Sequence, residues 1–266
     1  MQIFIGFILG ALVGYAAYKF GALSSNGAAT AAIIGGVIFG LGGLPWAVLL
    51  LLFFTSSSLL SRVYSHRKKE LKEKFAKGSQ RDYGQVLANG GLGALLALAF
   101  WLAPEQIWMW FAFAGSMAAV NADTWATELG VLNPTAPRLI TNGRTVPRGT
   151  SGGVTLLGCL ASLAGAGLIG IAAALFTPNL PGAEVIFIVV LGGLVGATVD
   201  SLLGATVQGI YYCSGCEKET ESHPIHHCGT ETIQLRGWRW LDNDLVNLAC
   251  SLVGAGVAVV AWQLFG

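Results

Sequence analysis

Charge is scarce in this sequence. Asp, Glu, Lys and Arg together make up 11% of its 266 residues, where a soluble globular protein carries roughly 25%. That scarcity excludes a water-soluble globular enzyme. Neither sign is in excess: fifteen basic residues against fourteen acidic ones leave a net charge of +1, so no global basic footprint marks a nucleic-acid partner. A cleavable signal peptide is also not expected, because Met1-Gln2 offers no basic n-region and no small-residue cleavage site follows the first apolar run.

What the sequence has in quantity is long uncharged stretches, with 54% of residues hydrophobic. A membrane-crossing helix needs about 20 apolar residues to span a hydrocarbon core roughly 30 Å thick. Runs of that kind lie at 3–18, at 20–61 (two spans, broken at Gly42, Gly43 and Pro45), at 83–104, 106–122, 149–183, 185–212 (with one Asp inside) and 245–266. They amount to eight spans. If the spans alternate, the connections near Lys19 and at 62–82, 131–150 and 211–241 share one side of the membrane, with both termini and three short turns on the other. All fifteen Lys and Arg then fall on the first side, eight of them between Arg62 and Arg81. By the positive-inside rule that side is the cytoplasm, and both termini lie outside. An odd number of spans would scatter the charges. The expected fold is therefore an all-α polytopic membrane protein, a single domain over 1–266, with the 62–82 run read as a topology signal near anionic membrane lipid.

A weak repeat runs through the chain. Spans two, four and six each follow a small polar turn, at Asn26-Gly27, Asn89-Gly90-Gly91 and Ser151-Gly152-Gly153, and their partners return with polar residues at Ser56 to Ser58, Asp123-Thr124 and Asp200-Ser201. Gly115 precedes Asp123 by eight residues and Gly192 precedes Asp200 by eight, so spans five and seven read as copies of one helix. The plan is three hairpins with two flanking helices. Gly6, Gly10 and Gly14, and again Gly192 and Gly196, are spaced for close helix packing in lipid.

A carboxylate inside a bilayer costs ~2.5 to 3.5 kcal/mol at a helix centre and marks a functional site by default. Asp123 and Asp200 fall at similar depth, ~22 to 26 Å from the outer face at 1.5 Å per residue. Asn121, Thr124 and Glu128 share a stripe on the fifth span, Asp200 and Gln208 share a face of the seventh, and Asp242, Asn243, Asp244 and Asn247 enter the eighth. Three helices thus bring oxygen ligands to one level, with Ser201 beside them. Such an environment suits Mg²⁺ on Asp123, Asp200 and Asp244. Asp242 also fits a plain helix N-cap.

The stretch from Asn142 to Thr155 sets Arg144 and Arg148 around Gly149, Thr150, Ser151, Gly152 and Gly153 and leads into the sixth helix. Backbone N–H groups at a helix N-terminus and two arginines outline a phosphate cradle; without a Walker lysine it is not a P-loop. Between spans seven and eight, Cys213-x-x-Cys216 is followed by His223, His226, His227 and Cys228. In a reducing cytoplasm this reads as a structural Zn²⁺ knuckle of Cys213, Cys216, Cys228 and His226, with His227 and His223 as rival fourth ligands.

Together N-A-D-T-W-A-T-E-L-G (121–130), P-R-G-T-S-G-G-V-T (147–155), D-S-L-L-G-A-T-V-Q (200–208) and W-L-D-N-D-L-V-N (240–247) resemble the integral-membrane family typed by the plant phytyl-phosphate kinase of tocopherol synthesis. The likeness runs over nearly the whole chain, and the Cys/His loop looks like the insertion of many prokaryotic members. The resemblance implies transfer of a phosphoryl group from a nucleoside triphosphate, CTP favoured, to an isoprenyl monophosphate. The rival expectations are another CTP-using lipid enzyme, either a prenol kinase or a CDP-lipid cytidylyltransferase, and a transporter or flippase.

Overall fold

The computed structural model describes residues 1–64 and 80–266. Most of the basic loop at 62–82 lies outside the described residues. Among those described are eight α-helices: α1 (Gln2–Lys19), α2 (Ser25–Val37), α3 (Leu44–Val63), α4 (Tyr83–Leu102), α5 (Trp108–Gly130), α6 (Leu156–Leu175), α7 (Gly182–Thr206) and α8 (Asn243–Phe265). Seven are long and apolar enough to cross a membrane, α2 counting together with a π turn at Ile38–Gly42. The eighth, α5, is the central post. Every residue from Met109 to Ala122 is buried, and α5 packs against α3, α4, α6, α7 and α8. A helix shielded from lipid by its neighbours can afford Ser116, Asn121, Asp123 and Glu128, which is why α5 is the least apolar of the set. The protein is a mostly α-helical polytopic membrane protein, as its uncharged runs lead one to expect.

The helix starts alternate in chemistry. Helices α2, α4, α6 and α8 open on Ser24, Asp82, Thr155 and Asp242, whose side chains accept hydrogen bonds from the backbone N–H of Gly27, Gln85, Gly158 and Leu245. Helices α1, α3, α5 and α7 open without a side-chain cap. Even-numbered helices therefore begin at the polar end of the bundle, where Ser, Thr and Asp are available to satisfy free N–H groups. The break between α2 and α3 falls at Gly43, whose φ of +82° reverses the chain ahead of Pro45 in the first turn of α3.

Small residues set the helix distances. A Cβ added at Gly6, Gly10 or Gly14 of α1 would lie 2.5 to 2.7 Å from the carbonyl oxygens of Gly36, Ala32 and Ala28 in α2. One at Gly115 of α5 or Gly192 of α7 would lie 2.5 or 2.6 Å from the same carbonyl, that of Gly254 in α8. The matched glycines of the fifth and seventh spans thus do the same job against one helix.

The hairpin plan needs two corrections. Because α1 takes the small-residue face of α2, α2 packs on α1 and α4 while α3 packs on α5 and α6, so the second and third spans meet chiefly where the π turn Ile38–Gly42 packs on α3. Asn89-Gly90-Gly91 is not a turn either; Asp82 caps α4 early enough to draw these residues into the helix.

At the polar end β1 (Arg138–Leu139) pairs antiparallel with β2 (Gly153–Val154), and β3 (Ile210–Cys213), β4 (Lys218–Thr220) and β5 (Thr232–Arg236) form a sheet in the order β4-β3-β5. Helix α7 stops at Thr206 instead of running to Tyr212. Arg236 of β5 donates from Nη1 to the carbonyl of Gly204 at 2.8 Å and closes that helix end.

Candidate functional site

The polar ends of α5, α7 and α8 converge with the 131–155 and 207–242 connections around a cavity of about 1130 Å³. Asp123 and Asp200 meet in it, their carboxyl groups within hydrogen-bonding reach of each other. The glycines on α5 and α7 that seat both helices on Gly254 also set these side chains level. One oxygen of Asp200, Oδ2, is buried without a hydrogen-bond partner. Two carboxylates this close need a cation or a shared proton between them, and an unspent buried oxygen fits a cation. Asp244, Asn243 and Asn247 from α8 line the same space, so carboxylate and amide oxygens that suit a hard divalent ion gather there. Asp242 lines it as well while serving as the N-cap of α8 at 3.0 Å from Leu245 N.

Thr124, Ser201 and Glu128 also face the cavity. Glu128 accepts a hydrogen bond from Ser61 Oγ at 2.8 Å and faces Arg81. Gly149, Thr150, Ser151, Gly152 and Gly153 form one wall. That wall is a turn laid against the end of α7: at Gly152, with φ of +81°, a Cβ would lie 2.6 Å from Ala205 Cα. Thr150 Oγ1 is buried without a partner. The N-terminus of α6 itself is closed by Thr155, which accepts from Gly158 N at 3.0 Å.

Three sequence candidates fall outside the cavity lining. Asn121 is wholly buried, accepts from Ser56 and Ser57 at 3.1 and 3.2 Å and donates to Gly165 O at 2.8 Å; it bolts α3, α5 and α6 together. Gln208, also buried, accepts from Ser151 Oγ at 2.6 Å and donates to Glu221 at 3.0 Å, coupling the glycine turn to the Cys/His loop. Arg144 is exposed in the connection between β1 and β2. Arg148 does line the cavity, and its Nη2 donates to the carbonyls of Asn133 and Pro134 at 2.7 and 2.9 Å.

Sequence reasoning missed two cations and a roof. Arg81, the last charge of the basic run, turns into the cavity together with Arg239. The signal for Arg81 was its position directly before the Asp82 cap, at the mouth of a helix. Glu221, His223 and His227 come down from the Cys/His loop as the roof. Glu221 adds a further negative charge beside Asp200.

Cys213, Cys216, His226 and Cys228 form a cluster whose ligand atoms all lie within 4.8 Å of one another. Cys213 Sγ is 3.5 Å from Cys228 Sγ, and His226 Nδ1 is 3.1 Å from Cys228 Sγ and 3.6 Å from Cys216 Sγ. Hydrogen bonds with Thr230 and then His226 push the Cys228 thiol down to about 5, while its hydrogen bond with Cys228 raises Cys216 to about 11. A thiol lowered in this way yields more readily the thiolate, the form that binds metal. Both rivals for the fourth position are used elsewhere: His223 stacks on Tyr211 at 4.5 Å and His227 lies 3.4 Å from Ser222 Oγ. The four residues can hold a metal ion.

The model of the family described as "Integral membrane protein DUF92" matches residues 8–255. The chain is 33% identical to Protein PGR of Arabidopsis thaliana, over 96% of this chain and 94% of that protein. It is also 31% identical to an uncharacterized membrane protein of Methanocaldococcus jannaschii, over 77% of this chain and 83% of the other. An uncharacterized membrane protein of Synechocystis is 27% identical over 85% of this chain and 78% of its own length. No solved structure matches.

Proposed function

The chain belongs to the integral membrane protein family DUF92, and from the motif resemblance and the cavity we propose a membrane phosphotransferase that moves a phosphoryl group from a nucleoside triphosphate onto an isoprenyl monophosphate to give the diphosphate. The observation that carries the reading is the meeting of Asp123 with Asp200, in one space with Arg81, Arg148 and Arg239. That space, about 1130 Å³, exceeds the ~300–1,000 Å³ of a site for one small ligand and suits two substrates side by side. The preference for CTP rests on the motif resemblance.

An acceptor that is already a phosphate anion needs no strong base; what opposes reaction is repulsion between two polyanions. The three arginines and the glycine turn at 149–153, which share the cavity lining, offset that charge. An acceptor oxygen attacks the γ-phosphorus, the bond to the β–γ bridging oxygen breaks, and the nucleoside diphosphate leaves with the electron pair. Mg²⁺ held by Asp123, Asp200 and Asp244 would supply further charge neutralisation. Zn²⁺ on Cys213, Cys216, His226 and Cys228 would be closed and structural. On this reading the end of the bundle that carries the cavity faces, by the positive-inside rule, the cytoplasm of a prokaryotic cell, and membrane lipid surrounds the helices. Carboxylates gathered at one end of the bundle, away from its middle, weigh against alternating access.

The test is incubation of the purified protein with CTP, Mg²⁺ and phytyl, geranylgeranyl or farnesyl monophosphate, products being read by mass. Formation of the isoprenyl diphosphate with release of CDP is expected. Pyrophosphate release with a CDP-lipid product would replace the reading with a cytidylyltransferase, and no product with any acceptor would overturn it.

A further inference from the structure

Next to the polar cavity runs an apolar groove of about 220 Å³ between α1, α2, α3 and the first turns of α4. It exists because α2 leans on α1 and leaves α3 to α5. Leu9, Val13, Ile34, Leu50 and Leu51 line it, and at its polar end stand Arg81, Gln85 and Asn89. These three side chains also line the polar cavity, so the two spaces meet at them. Along α3 the lining extends from Leu44 to Phe54, or ~15 Å at 1.5 Å per residue.

The polar end is built. Arg81 N donates to Ala22 O at 3.0 Å and Arg81 O accepts from Ser24 N at 3.1 Å, which pins this residue to the turn between α1 and α2. Its Nη1 donates to Ser58 Oγ at 3.1 Å, and its guanidinium lies 5.6 and 5.9 Å from the ring centroids of Phe53 and Phe54. Gln85 Oε1 and Asn89 Oδ1 are buried without hydrogen-bond partners, and a terminal amide can present either its oxygen or its N–H₂ to such a gap. A narrow apolar trough ending in a fixed cation and two unspent amides is complementary to an amphiphile with one apolar tail and a compact anionic head.

We infer that this groove holds the isoprenyl tail of a lipid monophosphate, and that Arg81, Gln85 and Asn89 pass its head into the carboxylate-lined cavity. The inference rests on the phosphotransferase reading above. It assigns the tail to the α1–α3 side of the bundle and makes Arg81 a contact of the acceptor phosphate.

The purified protein should be photolabelled with geranylgeranyl monophosphate carrying a diazirine in its tail, and the labelled peptides mapped by mass. The label is expected on α1, α2, α3 and the first turns of α4, the helices that line the groove. Gly35→Leu fills the groove at little structural cost, since a Cβ there meets only Gly10 Cα at 3.9 Å and Leu50 Cδ2 at 4.0 Å. It should weaken geranylgeranyl monophosphate binding at least about tenfold and leave binding of the short-tailed isopentenyl monophosphate unchanged. Gly167→Leu in α6, where a Cβ meets nothing within 4 Å, should change neither. Label on other helices, unchanged long-tail binding by a folded Gly35→Leu protein, or a co-purified phospholipid in the groove that the probe does not displace would overturn the inference. The label map on the unaltered chain needs no variant to fold. A labelled groove without diphosphate formation on adding CTP and Mg²⁺ would overturn the phosphotransferase reading alone; diphosphate formation with label outside the groove would overturn the groove alone.

Discussion

Asp200 carries the sharpest chemical tension in the molecule, with one oxygen buried and unspent and two further carboxylates, Asp123 and Glu221, close by. Asp200→Asn and Asp123→Asn keep the side-chain volume and remove the charge that would hold Mg²⁺, so each should abolish turnover while the protein stays folded. Near wild-type rates from either variant in detergent would remove the metal from the site. Arg148 makes a different argument. Its fork bridges two carbonyls, Asn133 O and Pro134 O, while it borders the cavity. Lysine retains the charge but not the fork, so Arg148→Lys should lower kcat/KM at least about tenfold, or ~1.4 kcal/mol. Unchanged kinetics would leave Arg148 as a topology charge only. At this scale the sequence was readable wherever polarity conflicted with lipid, at Asp123 and Asp200, or wherever ligands were close in the chain, as from Cys213 to Cys228. It was opaque for Asn121 and Gln208, whose amides are equally suited to binding substrate and to bolting helices together. Arg81 and Arg239 were missed because which cations of a basic connection turn inward is decided by tertiary contacts.

Among the elements, α8 is the one on which the paired helices rest. Glycines 115, 192 and 254 let α5 and α7 approach it closely, and this approach brings Asp123 opposite Asp200. A Cβ at Gly254 would lie 2.7 Å from Gly115 O, whereas one at Gly256, half a turn further on, meets nothing within 4 Å. Gly254→Val should therefore cost about 1–3 kcal/mol by overpacking and lower turnover with it, and Gly256→Val should do neither. Thermal melts and initial rates of the two variants check this; equal behaviour would show that the helix spacing does not set the carboxylate pair. Small-residue spacing predicted close packing in α1 and α7 but not its partners. That Gly6, Gly10 and Gly14 seat α2, and so hold it away from α3, follows from a face-to-face match that one helix's spacing cannot contain.

The whole molecule joins a lipid-facing bundle to a polar cap, and the junction is the sheet of β3, β4 and β5. Strand β3 leaves the end of α7 and β5 returns to the start of α8; Ile210 pairs with Arg236, and Gly209 N donates to Leu241 O at 2.9 Å. The ends of the two helices that carry Asp200 and Asp244 are tied through this sheet, and its far end is closed by Cys213, Cys216, His226 and Cys228. A metal there would act on the cavity through geometry, since His223, His227 and Glu221, which roof the cavity, lie between or beside the cluster's ligands. Elemental analysis of the purified protein should find about one zinc per chain, the number a closed four-ligand site binds. Cys213→Ser opens that site and removes binding energy coupled to loop folding, so it should lower Tm and reduce turnover in proportion, and a chelator should do the same to the unaltered protein. Absence of zinc, or a Cys213→Ser, Cys228→Ser double variant with unchanged Tm and turnover, would show that β-pairing and the Arg236 bond to Gly204 hold the cap unaided, and that the thiols play no part in fixing the site.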